Sequence, residues 1–106
     1  MTKISLANLG DVPQTLVIPL YFRAMESQRP DAMLHDGYAA EILAKLDCNV
    51  AYLKGQEMEQ VFVIMRSKEF DRCSQHFMEQ HPQAVVVHLA CGLDTRFERI
   101  DNGLVE

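Results

Sequence analysis

The chain has 106 residues, of which 48% are hydrophobic and 24% are charged, and its net charge is −5 at neutral pH. This length allows one domain with a real core, and the composition is ordinary for a globular protein. A net negative charge argues against a nucleic-acid surface, which needs clustered Lys and Arg. Pro19 and Arg23 interrupt the longest apolar run near the N-terminus, so it falls short of the roughly 20 residues that a membrane span needs.

The three cysteines, Cys48, Cys73 and Cys91, are odd in number and widely spaced, with no C-x-x-C pair. The N-terminal residues show no signal-peptide pattern, so we expect reduced thiols in a cytoplasmic protein. Cys91 has no visible base beside it, which favours a small packed residue over a nucleophile. The four histidines do not have metal-ligand spacing, and no metal site is expected.

The first half of the chain predicts two helices after an irregular lead-in that extends to about Asp11. From Leu16 to Glu26 the apolar side chains are dense enough for a buried helix, entered through residues 12–14 with Thr15 as a candidate N-cap. Asp36 is a candidate N-cap for a second helix, which we expect to end near residues 47–49. The apolar face of that helix consists of Ala39, Ala40, Leu43 and Leu46.

The middle of the chain predicts further helix. Residues 61–65 have the composition of a strand, but the spacing of three or four between apolar residues from Met58 to Met65 favours a helix. A clearer helix covers Ser67–Gln80 and is ended by Pro82. We expect its apolar stripe to be buried. This stripe consists of Phe70, Cys73 and Phe77.

The most informative stretch runs from Ala84 to Arg99. Residues 83–89 form an apolar run rich in valine, which is typical of a parallel strand buried on both faces. A turn of small residues at 90–92 follows, and Thr95 with Glu98 fits a capping box at the start of a helix. A glycine-containing turn between strand and helix is how open α/β sheets present backbone N–H groups to nucleotide-like ligands.

These elements predict an α/β fold. Helices in residues 1–82 would lead into the first strand and glycine turn of a Rossmann-like sheet in residues 83–106. Asn102-Gly103 forms a turn, and Leu104-Val105 would open the next strand, so we expect a domain truncated after its first βα unit. A lone strand leaves its backbone groups unpaired, which predicts self-association of the fragment through the edge of residues 84–89.

Three stretches resemble the leucine carboxyl methyltransferase family, a branch of the S-adenosylmethionine-dependent methyltransferases that includes O-methyltransferases of polyketide biosynthesis. They are residues 19–27 with Thr15, residues 36–43, and above all His88-Leu89-Ala90-Cys91-Gly92-Leu93-Asp94-Thr95-Arg96. The resemblance covers residues 13–100. It implies a Rossmann-like sheet, S-adenosylmethionine as the cofactor, and methyl transfer to a carboxylate or hydroxyl of a small-molecule or protein acceptor.

The resemblance also implies roles for individual residues. The turn at 90–92 would lie against the methionine and ribose portion of the cofactor, and Asp94 would also bind the cofactor. Arg66 would pair with the cofactor's carboxylate, and Arg23 would lie near the same end, because a guanidinium offers a carboxylate bidentate geometry. The family's acidic residue for the ribose hydroxyls has no match up to Glu106, so the fragment alone is expected to be inactive. The implied cofactor-binding residues are Arg23, Arg66, Ala90, Cys91, Gly92 and Asp94.

Other interpretations of the same residues stay open. Gly92 also suits a turn that needs a positive φ or close helix packing. Asp94 and Arg96 can pair with each other or with neighbouring helices, and for Arg96 we favour that structural role. Arg23 can pair with Glu26 one helical turn on, and Arg66 can be an ordinary surface arginine, which its spacing alone favours. Two other functional classes are a dinucleotide-binding oxidoreductase, although such folds commonly open with the strand rather than with helices, and a non-catalytic interaction module.

Overall fold

The structure is a computed structural model that describes residues 2–10 and 15–103. Those residues contain four α-helices, two short strands and one 3-10 turn. The helices are α1 (Val17–Ser27), α2 (Gly37–Lys45), α3 (Glu57–Gln80) and α4 (Arg96–Ile100). The strands β1 (Ile4–Ser5) and β2 (Leu46–Asp47) pair in parallel, and the 3-10 turn covers Ala51–Leu53. The mixture of helices with a small parallel sheet agrees with the predicted α/β class.

Helix α1 is the central element and packs against both α2 and α3. Its start is close to the prediction, but Leu16 rather than Thr15 is the N-cap, without a side-chain hydrogen bond. The backbone carbonyl of Thr15 accepts from the Ile18 N–H at 3.0 Å. Pro19 is the third helical residue, where an N–H would have no helical partner, so the ring is tolerated. The predicted entry through residues 12–14 lies outside the described residues.

Helix α2 begins as predicted, because Asp36 Oδ1 accepts a hydrogen bond from the Ala39 N–H at 3.0 Å. It ends earlier than expected, at Lys45, since the next two residues pair with Ile4–Ser5 as β2. The lead-in expected to be irregular therefore contributes a strand. The first apolar cluster lies between α1, α2 and β2. Its buried members are Val17, Leu20, Ala24, Ala39 and Leu46.

Helix α3 is continuous over 24 residues, which confirms the helical prediction for residues 61–65 and the end at residue 81. The predicted buried stripe is wrong: Phe70, Cys73 and Phe77 are all exposed. The inward face meets α1 and the arginines of α4, so it needs polar as well as apolar side chains. The buried residues of α3 are Ile64, Ser67, Asp71 and Met78. No helix of the described part of the chain is both long and apolar enough to cross a membrane.

Residues 83–89 do not form the predicted strand. The two-stranded sheet of the described residues is built from β1 and β2, so no described strand lies beside this segment to pair with its backbone. Without that partner its valines are not covered, and Val85 and Val87 are 65% and 72% exposed. The next strand, predicted at residues 104 and 105, lies outside the described residues.

Candidate functional site

A cleft with a cavity of about 310 Å³ lies between the start of α1, the middle of α3, the turn at residues 90–94 and the first residue of α4. The structure brings five of the six predicted cofactor-binding residues together there, although they come from three separate parts of the chain. These five are Arg23, Arg66, Ala90, Cys91 and Asp94. The cleft is therefore the candidate site.

The turn itself has an unusual backbone. Ala90 and Gly92 have φ values of +49° and +55°, in the left-handed region that favours glycine. A Cβ on Gly92 would lie 2.8 Å from Leu16 Cδ2, so it would push that side chain aside. The need for a positive φ and close packing thus explains this glycine, as the alternative interpretation allowed. Cys91, expected to be packed, is exposed instead, and its thiol lies 3.9 Å from the Gly92 carbonyl oxygen.

The two arginines of the cleft differ in what they bind. Arg23 is 4% exposed and donates from Nε to Asp36 Oδ2 at 3.0 Å and from Nη2 to the Leu93 carbonyl at 2.8 Å. The alternative pair of Arg23 with Glu26 does not form, because Arg23 donates to Asp36, the N-cap of α2, instead. Arg66 is exposed, and no hydrogen bond or ion pair joins its side chain to another residue of the described ranges. Arg66 is therefore free to meet a ligand.

Glu26, the residue expected to pair with Arg23, is fully buried and has other partners. It accepts from the Met33 N–H at 2.9 Å, from Gln60 Nε2 at 3.1 Å and from Arg29 Nη1 at 3.2 Å. Burial raises the pKa of Glu26, but these hydrogen bonds and the Arg29 charge outweigh it and hold the pKa below its ordinary value. Glu26 therefore ties the end of α1 to the following turn and to α3.

A cluster of buried and half-buried charges adjoins the cleft and includes Arg23. Its members balance in number, with three carboxyl groups and three guanidinium groups. They are Asp36, Asp71, Asp94, Arg23, Arg96 and Arg99. Because buried charges are tolerated only when they are paired and hydrogen-bonded, this balance explains how so many lie together.

Asp36 and Arg99 make the most bonds in this cluster. Arg99 holds Asp71 in a bidentate pair, with Nε–Oδ2 and Nη2–Oδ1 distances of 2.6 and 2.9 Å. Its Nη1 also donates to Asp36 Oδ2 at 3.2 Å. Asp36 Oδ2 accepts from the Thr95 hydroxyl and from Arg23 as well. The cluster therefore ties α4 and the turn to α1, α2 and α3.

Asp94 shows how the cluster sets ionisation in the cleft. Its oxygens lie 3.2 Å from Arg99 Nη1, 3.5 Å from Arg96 Nη2 and 3.4 Å from His88 Nε2. Burial raises the pKa of Asp94, but the charges of Arg99, Arg96 and Arg23 outweigh it and hold the pKa below its ordinary value. Asp94 is therefore a carboxylate at neutral pH. The structural role expected for Arg96 is confirmed, since it also donates to Asp71 at 3.0 Å.

The predicted capping box at the start of α4 is wrong. Thr95 is the N-cap, but its hydroxyl donates to Asp36 and accepts from Arg99 Nη1 at 2.8 Å instead of capping the helix. The Arg99 guanidinium is a stronger donor to the hydroxyl oxygen than a backbone N–H, and the Asp36 carboxylate accepts the hydroxyl proton, because charge-assisted hydrogen bonds are the stronger ones.

Sequence reasoning did not single out Asp71 or Arg99. One signal was available for Asp71, which stands seven residues from both Ile64 and Met78 and so interrupts an apolar heptad spacing. A carboxylate at such a position must find cations when the helix packs. For Arg99 the signal was weaker, namely its i, i+3 spacing from Arg96, which places both guanidinium groups on one side of a short helix.

Comparison with known proteins assigns the family. Residues 17–103 match the family model for leucine carboxyl methyltransferases. The chain is 36% identical over 93 residues to the tetracenomycin polyketide synthesis O-methyltransferase TcmP of Streptomyces glaucescens, an alignment that covers 88% of this chain and 34% of that protein. It is 30% identical over 100 residues to the S-adenosyl-L-methionine-dependent methyltransferase dpfgK of Gibberella zeae, covering 87% of this chain and 34% of that protein.

No solved structure gives a significant match. The chain belongs to the leucine carboxyl methyltransferase family, because the family model covers most of its residues. It spans about a third of the length of the curated relatives it matches.

Proposed function

We propose that the cleft binds S-adenosylmethionine and that the protein transfers its methyl group to an oxygen of a carboxylate or hydroxyl acceptor. The observation that carries the proposal is Arg66, an exposed guanidinium without a partner in the described ranges, on the same cleft as the turn at 90–94. The methionine portion of the cofactor ends in a carboxylate, which a guanidinium binds through two parallel hydrogen bonds. Family membership and the names of both relatives support methyl transfer from S-adenosylmethionine, and the name of TcmP, an O-methyltransferase, supports an oxygen acceptor.

Different residues of the cleft would contact different portions of the cofactor. Arg66 would hold the carboxylate, and hydrogen bonds to charged groups contribute about 1.5–3 kcal/mol. The backbone of residues 90–92 would lie against the methionine and ribose portion, with Asp94 next to it. When bound, the cofactor supplies an electrophilic methyl group on its sulfonium, and the protein promotes displacement by positioning acceptor and sulfonium. The acceptor would be a small molecule or a protein.

We propose that residues 1–106 by themselves bind the cofactor weakly and do not catalyse methyl transfer. The support is that the chain spans about a third of the length of its relatives. Measurements on this chain therefore need millimolar ligand and a method that detects weak binding.

The test is a titration of the ¹⁵N-labelled chain with S-adenosylhomocysteine, the product form of the cofactor, and separately with NAD. We expect the amide resonances of Gly92 and Asp94 and the Nε resonance of Arg66 to shift with S-adenosylhomocysteine and to saturate. NAD should leave them in place, whereas binding of NAD alone would overturn the proposal in favour of a dinucleotide domain.

We also propose that the chain self-associates through residues 84–89 at high concentration. The exposed side chains of Val85, Val87 and Leu89 support this. An apolar segment that no strand covers can form backbone hydrogen bonds and apolar contacts with a second copy of the chain. Light scattering across a concentration series should show a rising mass. A constant monomer mass would contradict it.

We place the protein in the cytoplasm. The support comes from its cysteine usage, since Cys48, Cys73 and Cys91 are all free thiols. Imaging of a fluorescently tagged protein checks the location, and secretion would contradict it.

A further inference from the structure

We propose that Arg23 is a positioning residue that fixes the turn at residues 90–94, and that Arg66 alone contacts the carboxylate of the ligand. The proposal rests on the function proposed above and assigns different tasks to the two arginines of one cleft. It departs from what the resemblance implies, in which both arginines lie at the carboxylate end of the cofactor.

The bonds of Arg23 leave it little freedom to serve as a ligand contact. Its Nε donates to Asp36 at 3.0 Å and its Nη2 donates to the Leu93 carbonyl at 2.8 Å. The side chain of Asp36 is fully buried, so a movement of Arg23 toward a ligand would take a charged partner from a carboxylate that water cannot reach. Burial also lowers the pKa of Arg23, against which the carboxylates of Asp94 and Asp36 act. The guanidinium is therefore held by the protein itself.

The turn needs such an attachment. Two of its residues, Ala90 and Gly92, have left-handed backbone conformations, and glycine populates several other conformations readily. Within the turn, the Asp94 N–H donates to the Cys91 carbonyl at 3.0 Å. The bond from Arg23 to the Leu93 carbonyl reaches across 70 positions of sequence and fixes the peptide unit between Leu93 and Asp94 to α1. It therefore sets where the backbone of the turn lies relative to the cleft.

Arg66 has the opposite properties. It is exposed on α3, lines the same cleft, and has no bonding partner within residues 2–10 and 15–103. Its neighbour Ser67 is buried, so the backbone of α3 is anchored at this point while no described residue holds the guanidinium. An anchored backbone with a free cation suits a residue that meets an anionic ligand.

Two ligands, one with and one without the amino-acid carboxylate, distinguish the role of Arg66 from that of Arg23. S-adenosylhomocysteine carries the amino-acid carboxylate, whereas 5′-methylthioadenosine has the same nucleoside and thioether without the amino acid. In the wild-type chain we expect the first to bind more tightly. Arg66→Gln should weaken S-adenosylhomocysteine by about ten- to a hundredfold, the factor expected for hydrogen bonds to a charged group. It should leave 5′-methylthioadenosine unchanged.

Arg23→Lys keeps the positive charge but cannot reach Asp36 and the Leu93 carbonyl together. We expect it to weaken both ligands by the same factor, so that the preference between them stays, and to move the Gly92 and Asp94 amide resonances before any ligand is added. The matched control is Arg29→Lys, at a half-exposed arginine of the next turn, which should change neither affinity. Circular dichroism shows whether each variant is folded.

A selective loss of S-adenosylhomocysteine binding in Arg23→Lys would overturn the proposal, because it would make Arg23 a carboxylate contact. Unchanged resonances and affinities in that variant would overturn it as well. The wild-type chain gives a readout that needs no variant: the Arg23 Nε resonance should respond equally to both ligands, and that of Arg66 to S-adenosylhomocysteine alone. If the wild type bound neither ligand, the proposed function would fail, and the resonances of ligand-free Arg23→Lys would still decide whether Arg23 positions the turn.

Discussion

Helices α1 and α2 bury Leu20, Ala24 and Ala39 completely, whereas residues 84–89, with a denser apolar sequence, leave Leu89 82% exposed. The helical region, residues 17–80, is held by apolar packing around α1. The second region, residues 84–100, is attached to it by the Asp36, Asp71 and Arg99 cluster and by the apolar contact of Leu93 with the first apolar cluster.

This difference shows that an apolar run is buried only where a partner surface exists for it. Non-directional apolar packing holds helices together, but it does not fix a backbone turn in one orientation. Hydrogen-bonded ion pairs are directional and do so at defined distances. Hydrogen-bonded ion pairs therefore suit a turn whose backbone must keep one orientation in order to contact a ligand.

The largest expected effect contrasts apolar residues of the two regions. Phe22→Ala removes a side chain that is 2% exposed and should lower the free energy of unfolding by about 3–5 kcal/mol. Leu89→Ala removes a side chain from the exposed segment and should change it by less than about 0.5 kcal/mol. Urea unfolding of the monomer measures both. Similar losses in the two variants would mean that residues 84–89 are packed in an apolar core rather than exposed.

The next effect concerns the charges that attach the second region. Arg99→Met leaves two buried carboxylates short of a partner and should destabilise the chain by about 3 kcal/mol. Arg72→Met breaks only an exposed pair with Glu69, so its unfolding midpoint should match that of the wild type. If Arg99→Met were as stable as Arg72→Met, the cluster would not be what holds the segment.

A smaller effect is expected for the glycine of the turn. Gly92→Ala and Gly103→Ala both force a side chain onto a left-handed residue, with φ of +55° and +75°, and each should cost about 1–2 kcal/mol. Only the first would displace Leu16, which lines the cleft, because nothing lies within 4 Å of a Cβ at Gly103. We therefore expect similar thermal midpoints but weaker S-adenosylhomocysteine binding for Gly92→Ala alone. Equal binding in the two variants would show that Leu16 does not shape the site.

The smallest effect is a pH dependence that both regions share. Glu26 in the helical region and Asp94 in the second have a pKa below the ordinary value when folded, so they stabilise the fold above the unfolded pKa of about 4. That stability is lost as pH falls through the folded pKa, because the unfolded state then binds more protons. Glu26→Gln and Asp94→Asn should each make the decline of unfolding free energy below about pH 4 less steep. An unchanged slope in both would contradict this.

Local sequence signals predicted the helices well and the attachment of the second region poorly. The spacing of apolar residues indicated α1 and α3, and Asp36 was recognisable as an N-cap because capping involves neighbours in sequence. The bond from Arg23 to Leu93 and the pair of Asp71 with Arg99 join distant positions, so no local pattern indicates them. The missing strand has the same cause, since pairing depends on a partner elsewhere.

The sequence predicted which residues lie at the candidate site but not the role of each residue there. The resemblance indicated five residues that the structure places on one cleft. It could not distinguish Arg23 from Arg66. Whether a guanidinium is paired within the protein depends on whether a carboxylate lies within hydrogen-bond distance, as Asp36 does for Arg23.

Hydrogen exchange of the monomer, at a concentration where light scattering shows no association, tests most directly that directional bonds rather than strand pairing hold the second region. We predict fast exchange for the amides of residues 85–87. Slow exchange is expected for Asp94 and Arg99, whose N–H groups donate to the carbonyls of Cys91 and Thr95. Protected amides at residues 85–87 together with unprotected ones at Asp94 and Arg99 would contradict the account.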